Sequence, residues 1–323
     1  MNIPKLDINT TNNLLAFSAG IDSTALFFLM LEEEISFDIA IVNYNQRVQA
    51  KDEVIYARQL AHKYNKKCFV SNYPEHNKFN EKDAREYRYD FFKEIITKNN
   101  YNSLVTAHQL NDKLEWFLMQ FAKGAGVSEL LGMQKYSSKD NYQIIKPLLE
   151  CSKTSLQEYL DNKCKKYFID ESNYDEKYKR NFFRHNFSDK LLEEFEAGIV
   201  KSFKYLNVDN ESLFKNIKET RIDELSIYEY DNDINIAIRI IDKNLKKRGI
   251  LISNSTREEI KKYKELVISH KISIAITDHK IYIAPFTIQK MDKKFKEKCR
   301  INKIPKKIRA YMFKLEQEEL FIL

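Results

Sequence analysis

Glycine is scarce in this chain, with 6 among 323 residues, and Gly20 is the only one before Gly124. That scarcity excludes collagen-like and glycine-rich low-complexity chains. It also leaves no G-x-G-x-x-G dinucleotide fingerprint and no glycine-rich, lysine-containing P-loop. Proline is as rare, at 5, so no proline-rich linker divides the chain. The 4 cysteines, Cys68, Cys151, Cys164 and Cys299, form no C-x-x-C pair and no spacing suited to structural zinc. Free thiols in a reducing cytoplasm are the expectation. No apolar run approaches the ~18 residues that a membrane-spanning helix needs, so no membrane partner is expected. The opening MNIPKLDINTTNN has no cationic stretch followed by an apolar one, which argues for a cytoplasmic rather than a secreted protein.

With 43% hydrophobic and 31% charged residues, a chain of this length is a soluble globular protein of one or two domains. The net charge of +7 suits a polyanionic partner without requiring one. Its placement is more informative, because Lys290 to Lys314 carries 11 Lys/Arg against Asp292 and Glu297 alone. Such a segment is either a solvated basic face or a phosphate-contacting one.

Short β-branched or apolar runs fall at 13–17, 38–43, 67–70, 102–106 and about 142–146, with helical patterns at about 23–34, 51–64, 81–98 and 110–122. Strands alternating with helices predict βαβ units and a parallel sheet, whose ligands bind beyond the carboxyl ends of the strands. After Pro147 the pattern turns helical over 152–162, about 179–205 and about 211–223. An αβ-like unit follows at 233–284, with helices near 233–248 and 256–269 and two terminal strands, ISIAITD and HKIYIAPF. The resulting division is 1–205, 206–290 and a basic tail at 291–323.

The stretch LLAFSAGIDSTALFFLM, Leu14 to Met30, reads as strand, short polar loop and helix. This layout aims backbone N–H groups at an anion; the alternative is an ordinary strand-to-helix turn capped by Ser23 or Thr24. Gly20 suggests a close backbone approach or a positive φ in that loop. The second concentration of chemistry follows the fourth strand. His108, Asp112 and Glu115 in TAHQLNDKLEWF lie at helical spacing on one face. Two carboxylates and an imidazole beside an anion loop can hold a divalent cation or move protons; a first helical turn enriched in acids is the alternative. Arg85 and Arg88 with Tyr89 and Phe92, and Arg180, Arg184 and His185 among phenylalanines, pair guanidinium groups with aromatic rings. Phosphate and base recognition, or surface ion pairing, would each use such groups.

In order along the chain these pieces resemble the N-type ATP pyrophosphatase (PP-loop) superfamily and, within it, the tRNA(Ile)-lysidine synthetases. SAGIDS resembles that superfamily's S-G-G-x-D-S, VNYNQR at 42–47 stands where a VDHGLR-like stretch is found, and AREYRYDFF is similar to A-R-x-x-R-Y-x-F-F. TAHQLNDKLEWF resembles T-A-H-H-x-[DN]-D-x-x-E-T, KGAG resembles R-G-x-G, and KPLL resembles R-P-L-L. DESNYDEKYKRNFFRH is similar to the D-x-[ST]-N…R-N-x-x-R-H that marks the lysidine synthetases. The resemblance implies a PP-loop domain of the adenine nucleotide alpha hydrolase-like, Rossmann-like type, then a smaller, mainly helical α+β domain that contacts tRNA. It also implies that the family's larger C-terminal domain is reduced to the short basic tail.

The implied reaction joins L-lysine to carbon 2 of the wobble cytidine in the CAU anticodon of tRNA(Ile), through an adenylated tRNA, with release of AMP and pyrophosphate. Carried over residue by residue, catalysis falls to Asp22, His108, Asp112 and Glu115. ATP falls to Ser18, Ala19, Gly20, Ile21, Asp22, Ser23 and Thr24, and Mg²⁺ to Asp22 and Asp112. The nucleotide and the tRNA fall to Arg85, Arg88, Lys123, Gly124, Arg180, Asn181 and Arg184. Ala19, Gln109, Trp116, Lys123 and Lys146 depart from the pattern. Alanine at a position of positive φ costs about 1 kcal/mol, so a negative φ is expected at Ala19. Two alternatives remain: a PP-loop tRNA thiolase, disfavoured by the missing C-x-x-C, and a tRNA-binding homologue without chemistry. The sequence leaves oligomeric state open, with a homodimer among the options.

Overall fold

The computed structural model describes residues 3–45, 49–74, 80–139, 141–169 and 179–315. Gln46 and Arg47 of the VNYNQR stretch, residues 170–178 of the last motif and residues 316–323 of the tail lie outside the described residues. The chain divides into two compact units, Met1–Asn207 and Val208–Leu323.

The first unit alternates strands and helices: β1 (Asn13–Ala16), α1 (Ile21–Glu32), β2 (Phe37–Asn43), α2 (Gln49–Lys63), β3 (Cys68–Asn72), α3 (Glu81–Asn99), β4 (Ser103–Val105) and α4 (Leu110–Phe121). It continues through α5 (Val127–Leu130), β5 (Tyr136–Lys139), β6 (Tyr142–Ile145), α6 (Lys153–Asn162) and α7 (Lys179–Phe183), then a π-helical turn at Arg184–Ser188 and α8 (Asp189–Ser212). The sheet runs β3-β2-β1-β4-β6-β5, parallel throughout except for β5, which pairs antiparallel with β6. Helices cover both faces, which is why the inner strands read as continuous apolar runs. Leu14 packs in one cluster with Phe92, Ile95 and Ile96 of α3, while Leu15 belongs to the opposite cluster with Leu26 and Phe27 of α1 and Leu156 of α6. Successive strand residues thus serve opposite cores. Strand order reverses direction between β1 and β4, so the loops leaving these strands open one crevice.

The second unit is a five-stranded antiparallel sheet, β7 (Lys218–Ile222), β8 (Leu225–Glu229), β9 (Glu265–Ile268), β10 (Ile272–Ile276) and β11 (Lys280–Pro285), in the order β7-β8-β11-β10-β9. Ile281 and Ile283 face α9 (Ile234–Lys247) and α10 (Asn254–Tyr263). Tyr282 and Ala284 face α11 (Lys293–Ile301) and α12 (Lys306–Leu315) through Cys299, Ile308, Tyr311 and Met312. The basic segment is therefore amphipathic and docked on this sheet, with Lys294, Lys296, Lys306 and Lys307 left exposed.

The helix expected over 211–223 ends at Ser212, and Lys218–Ile222 forms the exposed edge strand β7. The helix expected over 256–269 ends at Tyr263, where Lys264 takes φ 56° and releases the short apolar run Glu265–Ile268 into β9. A four-residue apolar run carries no period of its own, and the sheet decides its fate.

Candidate active site

The loop after β1 differs from its sequence expectation in one residue. Ala19 has φ 62°, not the negative φ expected, and Gly20 has φ −74° at the N-cap of α1. The left-handed position thus falls on a buried alanine, held because the Ala19 carbonyl accepts from Phe168 N at 2.9 Å and Gly20 bridges Phe168 in a parallel pairing. Ser23 does not cap the helix. Its Oγ accepts from Ser18 N at 3.1 Å and lies 3.1 Å from Ser18 Oγ, tying the loop across its mouth. Helix α1 has no side-chain cap at all, so its first-turn N–H groups are available to an anion at its positive end.

Gln109 explains one departure from the family pattern. Its side chain accepts from Asn111 N at 2.5 Å while Asp112 Oδ2 accepts from Gln109 N at 3.2 Å, a reciprocal cap that starts α4. The cap fixes Asp112 at the strand-end rim. Asn111, on the next position, donates to Asp189 Oδ1 at 2.7 Å and accepts from Lys153 N at 3.1 Å, joining α4 to α8 and α6.

Four side chains far apart in sequence meet here. Arg180 lies 2.6 Å from Asp112 Oδ1 and 2.6 Å from Glu115 Oε1, and Arg184 lies 3.0 Å from Asp112 Oδ1 and 3.0 Å from Glu115 Oε2. Both carboxylates are almost fully buried. Burial raises Asp112, but Arg180, His108 and Arg184 overcome it and hold the carboxyl below its ordinary range. At Glu115 burial prevails over the same two guanidinium groups, and the carboxyl sits above its ordinary value.

Asp22 stands apart from that network. Its Oδ1 is enclosed with no hydrogen-bond partner among the described residues. Burial, and after it the charge of Asp112, pushes its carboxyl up to about 7 against the pull of Lys153, Arg184 and Arg180. His108 Nδ1 lies 2.9 Å from Thr106 Oγ1, and burial, opposed by the Asp112 charge but reinforced by Lys146, Arg180 and Arg85, pushes the imidazole down to about 4. The imidazole is neutral at pH 7.

Asp22, His108, Asp112, Glu115, Arg180 and Arg184 therefore share one rim, with Arg85 within electrostatic reach of His108. Arg88 is directed elsewhere, to the Tyr44 hydroxyl at the end of β2. Asn181 is the buried residue of α7. Lys123 and Gly124 occupy an exposed turn past the far end of α4, roughly 15 Å along the helix from Asp112 at 1.5 Å per residue, so the structure does not bring them to the rim. Two contributors were not singled out as site residues in the sequence: Lys153 at the start of α6 and Lys146 in KPLL. Lys146 stands in the KPLL motif that resembles R-P-L-L, whereas the only sequence signal for Lys153 is a cation beside the polar cap of a helix.

Trp116, another departure, donates from Nε1 to the Glu129 carbonyl at 3.1 Å and covers Gly132, where a Cβ would meet the indole at 3.1 and 3.3 Å. The indole ties α4 to α5 and to the chain that follows it. All four cysteines are free. Among the described residues no group of three His, Cys, Asp or Glu is placed to hold a metal ion without other ligands.

Residues 3–191 match the PP-loop domain model. The chain is 42% identical over 304 residues to the tRNA(Ile)-lysidine synthase of Campylobacter jejuni, covering 93% of this chain and 92% of that protein. The chain belongs to the tRNA(Ile)-lysidine synthase family. Further members are the Helicobacter hepaticus synthase, 41% identical with 95% and 82% of the two chains covered, and that of Helicobacter pylori, 39% identical with 93% and 89% covered. Among solved structures the U34-tRNA thiolase of Methanococcus maripaludis shares the fold, with TM-score 0.50 at 15% identity over 62% of this chain and 74% of that one. Family membership favours the ligase over the thiolase and over a binder without chemistry.

Proposed function

We propose that this chain ligates L-lysine to carbon 2 of the wobble cytidine of tRNA(Ile), at the expense of ATP. The observation that carries the reading is similarity to lysidine synthases over 93% of the chain combined with an intact acid set, Asp22, Asp112 and Glu115, at the rim of a PP-loop crevice. The cytosine carbonyl oxygen is a poor leaving group. Its attack on the α-phosphorus of ATP expels pyrophosphate and turns that oxygen into part of an AMP leaving group. The lysine amine then attacks carbon 2, and AMP departs.

The uncapped N-terminus of α1 and the loop Ser18–Thr24 support a phosphate cradle. A carboxylate near the amine is needed to take its proton, and Asp22, raised to about 7 with Oδ1 unpartnered, suits that role in the metal-free site only, since a bound cation would lower its carboxyl. Asp112 and Glu115 are already bridged by Arg180 and Arg184, so they would receive a substrate ammonium group or a cation only by exchanging those guanidinium groups. The donor set also suits Mg²⁺, which takes one or two carboxylates and completes its shell with phosphates and water. Asp22 and Asp112 would hold it, and it would supply neutralisation of phosphate charge. The exposed lysines of α11 and α12 support phosphate contact with tRNA.

Incubation with ATP, labelled lysine and total tRNA tests the reading. Label is expected in one isoleucine tRNA and to depend on ATP; labelled tRNA without ATP, or none with it, would overturn the assignment.

A further inference from the structure

The outward face of α7 has no part in the acid-binding network. Phe182 and Phe187 are 43% and 44% exposed. With the half-buried Phe183 they form a triad whose ring centroids lie 5.8, 5.8 and 5.7 Å apart. Phe182 follows Arg180 by two positions, which on a helix turns it to the opposite side. Arg180 and Arg184 thus point inward to Asp112 and Glu115, while the rings point outward. The π-helical turn Arg184–Ser188 inserts an extra residue and brings Phe187 back beside Phe182. Turns of this kind are found mostly at functional positions.

Exposed lysines flank the triad in sequence, Lys179 on one side and Lys190 on the other, whereas Arg180 and Arg184 are turned inward and paired with acids. Exposed rings flanked by lysines suit single-stranded nucleic acid, whose bases stack on aromatics while phosphates meet cations. Paired RNA offers no free base face. We propose that Phe182, Phe183 and Phe187 form a stacking platform for an unpaired base of the RNA substrate. The proposal rests on the reading of the chain as a tRNA-modifying enzyme and adds a position for a base that is not the reacting one. A cytosine delivered to the crevice leaves the loop stack, and a neighbouring base then stacks on the far side of the helix that arranges the acids.

The test compares an anticodon stem–loop RNA with a blunt RNA duplex of the same length, by filter binding at several salt concentrations. Phe182→Leu and Phe187→Leu keep apolar bulk and remove the ring; Phe182→Trp keeps a stacking surface. The leucine variants are expected to bind the stem–loop roughly 10-fold or more weakly, with duplex affinity and salt slope unchanged, while Phe182→Trp binds as wild type. A fluorescent base analogue in the loop should quench the tryptophan of Phe182→Trp. Unchanged stem–loop affinity in both leucine variants, or equal loss for both RNAs, would overturn the platform. So would a shift from dimer to monomer in sedimentation at unchanged RNA affinity, since the triad would then be a subunit contact. Wild type that charges tRNA with lysine while the variants behave normally removes only the platform; wild type that neither prefers the stem–loop nor charges tRNA removes the functional reading as well.

Discussion

Arg184 reaches Asp112 across 72 residues of sequence, its NH2 group donating to Oδ1 at 3.0 Å while its Nε donates to Glu115 Oε2 at 3.0 Å. The side chain is only 13% exposed. Removing one member of such a network strands a buried charge. Arg184→Ala is therefore expected to destabilise the protein by about 3 kcal/mol in chemical denaturation, and adding Glu115→Gln should restore part of the loss. Additive losses in the double variant would mean that the two side chains are not coupled.

Asp22 makes stability depend on pH in a particular direction. Its carboxyl is raised in the folded chain from an ordinary 3.8 to about 7, so the folded state binds the extra proton and loses stability as pH rises between those values. That displacement corresponds to roughly 4 kcal/mol, and partial solvent access reduces the expectation to roughly half. His108, lowered to about 4, acts in the opposite direction by losing stability as pH falls, so wild type alone shows a mixture. The difference between Asp22→Asn and wild type isolates the effect. The variant should be the more stable at pH 8 and the advantage should vanish near pH 4. A pH-independent difference would show that Asp22 is not buried in this way.

Trp116 and Gly132 act as a peg and its seat. Gly132→Ala forces the indole to move and should cost about 1–3 kcal/mol. Trp116→Phe removes the clashing edge, so the double variant should lose less than the sum of the singles in thermal unfolding. Equal sums would break the peg.

At Ala19 two effects of similar size oppose each other. Glycine would relieve a left-handed backbone worth about 1 kcal/mol but would uncover a buried methyl worth about 0.8 kcal/mol. Ala19→Gly should change stability by less than about 1 kcal/mol, whereas Ala19→Val, β-branched at φ 62°, should lower it by more than 2 kcal/mol, a size reserved for specific strain. Denaturant midpoints of the two variants distinguish this from a flexible loop that tolerates both.

Much of the first unit is legible because its strands are buried on both faces and its helices carry their own caps: Leu14, Leu15 and Ile39 to Ile41 announce the sheet, Asn80 caps α3, and Ser152 caps α6. Strand β5, Tyr136–Lys139, is exposed along its whole length and has no apolar alternation to betray it. Edge strand β7, KETRI, hides for the same reason. The acids and arginines of the site were each visible, but nothing local pairs Asp112 with Arg180 across 68 residues. The left-handed backbone at Ala19 is hidden from the sequence because residue type favours negative φ, and the Phe168 bridge that overrides it lies far along the chain.

The most direct measurement is single-turnover transfer of labelled lysine to tRNA(Ile) by wild type and Asp22→Asn, with AMP release followed in parallel and folding checked by denaturation. Wild type should place one lysine on the wobble cytidine for each AMP released, and Asp22→Asn should be slower by about 100-fold or more while folding normally, as befits the loss of a charge that acts at the reacting centre. Lysine transfer at the wild-type rate by the folded variant, or AMP release with no lysine on the tRNA, would contradict a ligase centred on the rim between β1 and β4.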